Sequence, residues 1–268
     1  MSRRMRGLGW VRDLPDPRDR IYSAPLGLLQ QLPPSADLRQ QCPPVYDQGR
    51  IGSCTANAIA GAIQFDRRKS GESPDFVPSR LFIYYNERAM EGHVAYDSGA
   101  QIRDGIKSVA QLGVCPEDEW PYDDTPPPID GGAFPAGARD GEKPTPDCYR
   151  CALQYTAVQY QRLAHLLSQL KGCLAAGYPF AFGITVFPSF WTGPGQQATV
   201  TPMPSANEAP VGGHAVLAVG YDDSKSWFIV RNSWGPDAAD NGYFYLPYAY
   251  AMDPQLASDF WTMRTVTG

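Results

Sequence analysis

No stretch of this 268-residue chain approaches 18 consecutive apolar residues, so the sequence offers no membrane-spanning helix. A basic excess is missing too. The net charge of −5 argues against nucleic acid as a main partner. A signal peptide's apolar core is also absent. Met1-Ser2-Arg3-Arg4-Met5-Arg6 is basic, but Arg12, Asp13, Asp16 and Arg18 break up the stretch beyond it. The expected location is the cytoplasm, or export by a route without that signal. Cys148-x-x-Cys151 has no second pair at similar spacing. No metal is therefore expected, and the pair reads as a disulfide or two plain thiols.

What is present is chain enough for one large domain or two fused subdomains. Gly and Pro number 26 each, so loops are expected to be many. Four polar residues stand in distinctive contexts: Gln48 and Cys54 in Gln48-Gly49-Arg50-Ile51-Gly52-Ser53-Cys54, His214 in Gly212-Gly213-His214-Ala215, and Asn232 in Arg231-Asn232-Ser233-Trp234-Gly235. These are the parts of a thiol nucleophile site. A cysteine attacks, a histidine takes and returns the proton, an asparagine orients the imidazole, and a glutamine amide donates to the oxyanion.

At these places the chain resembles the papain-like cysteine peptidases. Gly52, Ser53 and Cys54 match the family motif around its nucleophile. Ile51 stands where the family has a cysteine, so its disulfide there cannot form, and Thr55 replaces an aromatic residue. His214 and Asn232 lie 160 and 178 residues beyond Cys54. That exceeds the family's roughly 130–150 and implies inserted loops. Leu32 to Arg39 looks like the start of a mature domain. Trp120-Pro121-Tyr122 and Asn241-Gly242-Tyr243-Phe244 extend the similarity, which covers about residues 32–265. The resemblance implies an α+β fold of two subdomains, a helical one facing a β-barrel-like one across a cleft. It implies no cofactor. It implies substrate contacts at Gly52, Ser53, Gly99, Ala100, Gly213 and Trp234. Gly99 matches the first of a glycine pair, Ala100 replaces the second, and Trp234 shields the Asn232–imidazole bond. The floor of the pocket for the second residue before the scissile bond is expected near Leu256–Ser258.

The organisation along the chain agrees. Residues 1–31 read as a separate leader, stiffened by Pro15 and Pro17. Residues 32–268 form the peptidase domain, helix-rich to about 150 and strand-rich from about 151. Apolar periodicity predicts helices over 54–70, 79–90, 100–112 and 162–176, with His165 in the last as a surface or half-buried residue. Arg67, Arg68 and Lys69 suit the negative end of the first helix, whose start at Cys54 favours a thiolate. Period-two patterns predict strands from Phe180 to Val186, over 215–221, 226–232, 242–247 and 259–266. A hairpin around Asp222-Asp223-Ser224-Lys225 would bring His214 and Asn232 to one end. Residues 123–150, and 188–212 with Phe190, Trp191 and Pro194, read as long loops.

The activity this implies is peptide-bond hydrolysis by an endopeptidase, with a peptide or protein as partner. Acyl transfer or deamidation by the same thiol site is the alternative enzyme. A catalytically silent peptide-binding relative is the alternative from another class. Residues 1–20 carry six Arg and three Asp, a net of +3 against −8 for the rest. The leader is therefore expected to lie across the cleft as an intramolecular inhibitor, held by this attraction and anchored by Trp10, Leu14 and Ile21.

Overall fold

The computed structural model describes residues 7–156, 158–193 and 196–265. The basic Met1–Arg6 and Pro194 lie outside the described residues. The chain opens with β1 (Trp10–Val11), β2 (Ile21–Tyr22), α1 (Leu26–Gln30) and β3 (Ser35–Asp37). The helical half then supplies α2 (Cys54–Lys69), α3 (Arg80–Glu91), β4 (Ala100–Gln101), α4 (Ile102–Leu112) and α5 (Pro146–Ala152). The strand-rich half carries β5 (Val158–Leu163), α6 (Leu167–Ala175), β6 (Phe180–Val186), β7 (Trp191–Gly193), β8 (Gln196–Gln197), β9 (Gly212–Asp222), β10 (Trp227–Arg231), β11 (Tyr243–Pro247), α7 (Tyr248–Met252) and β12 (Ala257–Thr265).

The main sheet runs β11-β10-β9-β6-β12-β5-β2, with β3 also paired to β9. All pairs are antiparallel except β2 with β5. The sheet is open at β11 and β2, so "barrel-like" describes a coiled open sheet and not a closed barrel. Helix α2 is the element between the halves. It packs on α3 and α4 at one side and on β9 and β12 at the other. Its small residues make this possible: Ala56, Ala58, Ala60 and Ala62 are all buried. Gly105 on α4 admits a close crossing, since a Cβ there would meet Ile59 Cδ1 at 2.4 Å and Glu87 Oε2 at 2.3 Å. Arg67, Arg68 and Lys69 fill the last turn of α2, where the helix dipole favours cations.

Two expectations needed correction. The predicted helix over 162–176 begins only at Leu167, and residues 158–163 are a strand. The leucine spacing fits a helix, but residues 158–163 pair with β12, Arg162 opposite Trp261. A non-local partner overrode the local period. The loop at 123–150 ends in α5, announced by Thr145 as N-cap and Pro146 in the first turn. That start signal was in the sequence. All six cysteines are free thiols, so the Cys148–Cys151 pair is two thiols. No helix among the described residues is long and apolar enough to cross a membrane.

Candidate active site

The β9–β10 hairpin puts His214 and Asn232 together. His214 lies inside β9, and Asn232 follows the end of β10. The imidazole Nε2 donates to Asn232 Oδ1 at 2.8 Å. The amide cannot flip without loss, because Asn232 Nδ2 donates to Gln197 Oε1 at 2.8 Å and Ser233 N–H donates to Asn232 Oδ1 at 2.8 Å. This bonding leaves Nδ1 as the bare nitrogen, and it has no hydrogen-bond partner among the described residues. Trp234 stacks on the imidazole with centroids 4.8 Å apart and planes at 26°. Trp191 and Phe190 in turn pack on Trp234. Trp234 is thus a cover over the His214–Asn232 bond.

Cys54 opens α2 and is fully buried. Its Sγ accepts from the Ala215 N–H, the residue after His214, at 3.3 Å. Gln48 is held from three directions. Its N–H donates to Ser233 O at 2.8 Å, its Oε1 accepts from Ser233 Oγ at 2.6 Å, and its Nε2 donates to Ile51 O at 2.9 Å. The same Nε2 donates to a further carbonyl, that of Gly7, at 2.9 Å. Gly52 N–H donates to both oxygens of Asp97, at 2.9 and 3.1 Å. Tyr84 OH donates to the same carboxylate and accepts from Gly99 N–H at 3.2 Å. Asp97 and Tyr84 therefore tie the Gly52 turn to the Gly99 turn.

The leader runs through this site. Trp10–Val11 pairs in parallel with Ala100–Gln101, and Ala100 N–H donates to Gly9 O at 2.8 Å. The passage is so tight that a Cβ at Gly9 would lie 1.7 Å from Gly52 O. One at Gly99 would lie 2.0 Å from Gly9 O, and Gly99 already sits at φ +66°. Gly213 faces Trp10 in the same way, with a Cβ 2.3 Å from its carbonyl oxygen. Of the six residues expected to contact substrate, Gly52, Gly99, Ala100 and Gly213 thus touch the leader. Ser53 does not present its side chain: the hydroxyl is turned inward to Tyr122 OH at 2.6 Å and to Asn57.

Burial dominates protonation at the covered site. Burial pushes the Cys54 thiol up to about 12, against a smaller opposing effect of the Ala215 N–H. Burial brings His214 down to about 4, only partly offset by Asn232. The thiolate expected from the helix dipole is thus not the form favoured in the covered site, where burial disfavours charge. Sequence reasoning missed Gln197, Ser233, Asp97 and Tyr84. Asp97 and Ser233 adjoin motif residues and could have been found. Gln197 lies on β8, in a segment that read as a long loop, and carries no local signal.

The chain belongs to the papain family of cysteine proteases, whose family model it matches over residues 32–259. It is a cysteine peptidase with the papain-like fold. It is similar to xylellain, a cysteine protease from Xylella fastidiosa, at 52% identity and a TM-score of 0.93, over 99% of this chain and 98% of that one. An uncharacterised peptidase C1-like protein of Acanthamoeba polyphaga mimivirus is 38% identical over 98% of this chain and 88% of its own length. Digestive procathepsin L 3 of Tenebrio molitor larval midgut shares the fold, with a TM-score of 0.66 at 18% identity over 97% of this chain and 76% of that one.

Proposed function

We propose that Cys54 is the nucleophile of a peptide-bond hydrolase, with His214 as its base, Asn232 as the orienter of His214, and Gln48 as an oxyanion donor. The observation that carries this reading is the convergence of the His214–Asn232 pair, the Cys54 thiol beside Ala215 N–H, and a Gln48 amide that already binds a peptide carbonyl. His214 Nδ1 takes the thiol proton as Sγ bonds to the scissile carbon. The carbonyl oxygen gains charge against Gln48 Nε2 and the Cys54 backbone N–H. The C–N bond then breaks, and His214 returns the proton to the leaving amine. Water, deprotonated by the same imidazole, releases the acid and restores the thiol.

The same reading makes residues 1–31 a built-in inhibitor. Gly7 O holds the oxyanion donor, Gly9 O holds the Ala100 N–H, and the covered thiol stays protonated. The anchors differ from those expected. Trp10 is buried, but Leu14 and Ile21 are exposed. The work of holding falls to Asp13 and Asp19. Asp13 accepts from Trp261 Nε1 at 2.8 Å, and Asp19 pairs with the buried Arg103 at 2.7 Å and with Arg162 at 3.1 Å.

The test uses a vinyl-sulfone thiol trap and a fluorogenic peptide on the full chain. Wild type should label slowly at Cys54. Gly9→Val cannot fit beneath Gly52 O, so it should label and turn over peptide at least ~10-fold faster. Cys54→Ala should do neither. Label on another cysteine, or turnover by Cys54→Ala, overturns the assignment. Equal rates for wild type and Gly9→Val overturn the inhibitory role of the leader.

A further inference from the structure

Asp97 carries a carboxylate that the chemistry above does not use, and it is only 5% exposed beside the turn that leads to Cys54. Gly52 N–H reaches its Oδ1 at 2.9 Å and its Oδ2 at 3.1 Å, and Tyr84 OH donates to Oδ1 at 2.5 Å. The Tyr84 oxygen accepts from Gly99 N–H at 3.2 Å, so its own proton points at Asp97. Burial pushes the Asp97 carboxyl above its ordinary value, and the Tyr84 and Gly52 donors pull it back. The backbone beneath is fixed as well. Asp97 N–H donates to Gly132 O at 2.9 Å, and Arg88 donates to Val94 O and Tyr96 O at 2.9 Å each.

The Gly52 N–H and the Ile51 carbonyl are the two polar ends of one peptide unit. Ile51 O accepts from Gln48 Nε2 at 2.9 Å. The peptide is trans, so its N–H and C=O point in opposite directions, one at Asp97 and the other at Gln48. A single rigid plane therefore stands between the carboxylate and the glutamine amide. Negative charge at the N–H end polarises that plane and makes Ile51 O a stronger acceptor. Ile51 O takes up one N–H of Gln48 Nε2 and thereby aims the other out of the wall. That second N–H is the one bound to Gly7 O at 2.9 Å. Gly52 leaves just enough room for the contact, since a Cβ there would lie 3.2 Å from Asp97 Oδ1. No disulfide fastens this turn, because Ile51 has no thiol and Cys54 is free. The buried carboxylate does so instead.

We propose that Asp97 is a positioning residue for the oxyanion donor, acting on Gln48 through the Ile51–Gly52 peptide. The inference rests on the peptidase reading above. A neutral group of the same shape would fill the space of the carboxylate without polarising the peptide. Asp97→Asn is that group, and it also turns a donor towards one of the two N–H or O–H groups that Asp97 now receives. Gln48 then keeps its place in the chain but loses the firm acceptor that sets its angle.

The experiment is a double-mutant cycle in the full chain carrying Gly9→Val, read with a fluorogenic peptide. Asp97→Asn should lower kcat ~10-fold and Asp97→Ala ~10²-fold, with KM changed less than about twofold, because the loss falls on the transition state. In a Gln48→Ala background the same substitutions should change kcat less than about twofold, since the group they position is gone. Alkylation of Cys54 by iodoacetamide develops no oxyanion, so Asp97→Asn should leave its rate within about twofold of the parent. A preserved thermal transition certifies the variants as folded, and Asp97→Asn decides the matter if Asp97→Ala does not fold. Losses that add in full in the Gln48→Ala background overturn the inference. So does an Asp97→Asn kcat equal to the parent's, or an alkylation rate that falls as far as kcat. If Cys54→Ala still turns over peptide, or Gln48→Ala leaves kcat unmoved, the reading of the site fails and this inference fails with it. A loss at Gln48→Ala with none at Asp97→Asn leaves that reading standing and overturns only the role of Asp97.

Discussion

The two walls of the cleft are built by opposite means. The wall on the α2 side is a polar lattice. Gln48 is gripped by Ser233 and Ile51, and Gly52 and Gly99 are tied together through Asp97 and Tyr84. The wall on the sheet side is shaped by what is missing, with glycines at 183 and 213 in strands that otherwise carry Phe182, Ile184 and Val216. A donor aimed at a developing charge must be fixed within a few tenths of an ångström, and only a satisfied hydrogen-bond network does that in a buried place. A pocket for a side chain needs volume, and omitting a Cβ between rigid strands supplies it without any moving part. Substitutions on the first wall should therefore cost rate and stability. Those on the second should loosen the seat of Trp10.

The largest effects fall where the walls meet. With the leader lifted by Gly9→Val, Cys54→Ala and His214→Ala should each abolish turnover of a fluorogenic peptide, whereas Asn232→Ala keeps a measurable fraction because orientation is lost but not the nucleophile. Next comes Gln48→Ala. Its kcat should fall by about 10²–10³ with KM little changed, since the role proposed for the amide is to bind charge that appears only in the transition state. An effect confined to KM would move Gln48 from the oxyanion to ground-state binding. Third is Tyr84→Phe, which strands the Gly99 N–H and one bond of the buried Asp97 carboxylate. A loss of about 1–3 kcal/mol in urea unfolding is expected, against a small change for Gly183→Ala once Trp10 has been replaced by alanine. Equal losses at both would erase the contrast between the walls.

The smallest predicted effect is a shift with pH. Burial, and after it the facing Asp259, pushes Asp13 up from 3.8 to about 6 in the docked leader. The docked form therefore binds a proton that the free leader releases more easily. This contribution to docking is fully present below about 3.8 and is lost as pH rises through about 6. The amide introduced by Asp13→Asn cannot titrate. The difference between wild type and Asp13→Asn in the rate of Cys54 labelling should thus vary across this window and be flat above it. A constant difference from pH 4 to 8 would remove Asp13 from the linkage.

Net charge and close contacts tell different things about the leader. Its net of +3 against a body at −8 suggested long-range attraction. Among the described residues the buried contacts run the other way, with leader aspartates on Arg103 and Arg162 of the body. Net charge governs long-range attraction, whereas a buried ion pair is fixed by which few groups meet without water. The apolar anchors were similarly mixed. Trp10 meets a slot, whereas Leu14 and Ile21 face outward.

The sequence by itself determined the helix at Cys54 and the hairpin that joins His214 to Asn232, and it singled out the four polar residues of the proposed site. Each is written in short-range terms: small residues on a helical period, alternating apolar strands around a polar turn, and motif contexts a few residues long. The tertiary structure alone decided that residues 158–163 would be a strand, that Gln197 would hold Asn232, and that Ser53 would turn away from the cleft. It alone placed Trp10 against Gly183 and Gly213, over 170 residues away. Glycine in a strand reads locally as a weakness. Only the ring that occupies the vacated space shows that it is a pocket.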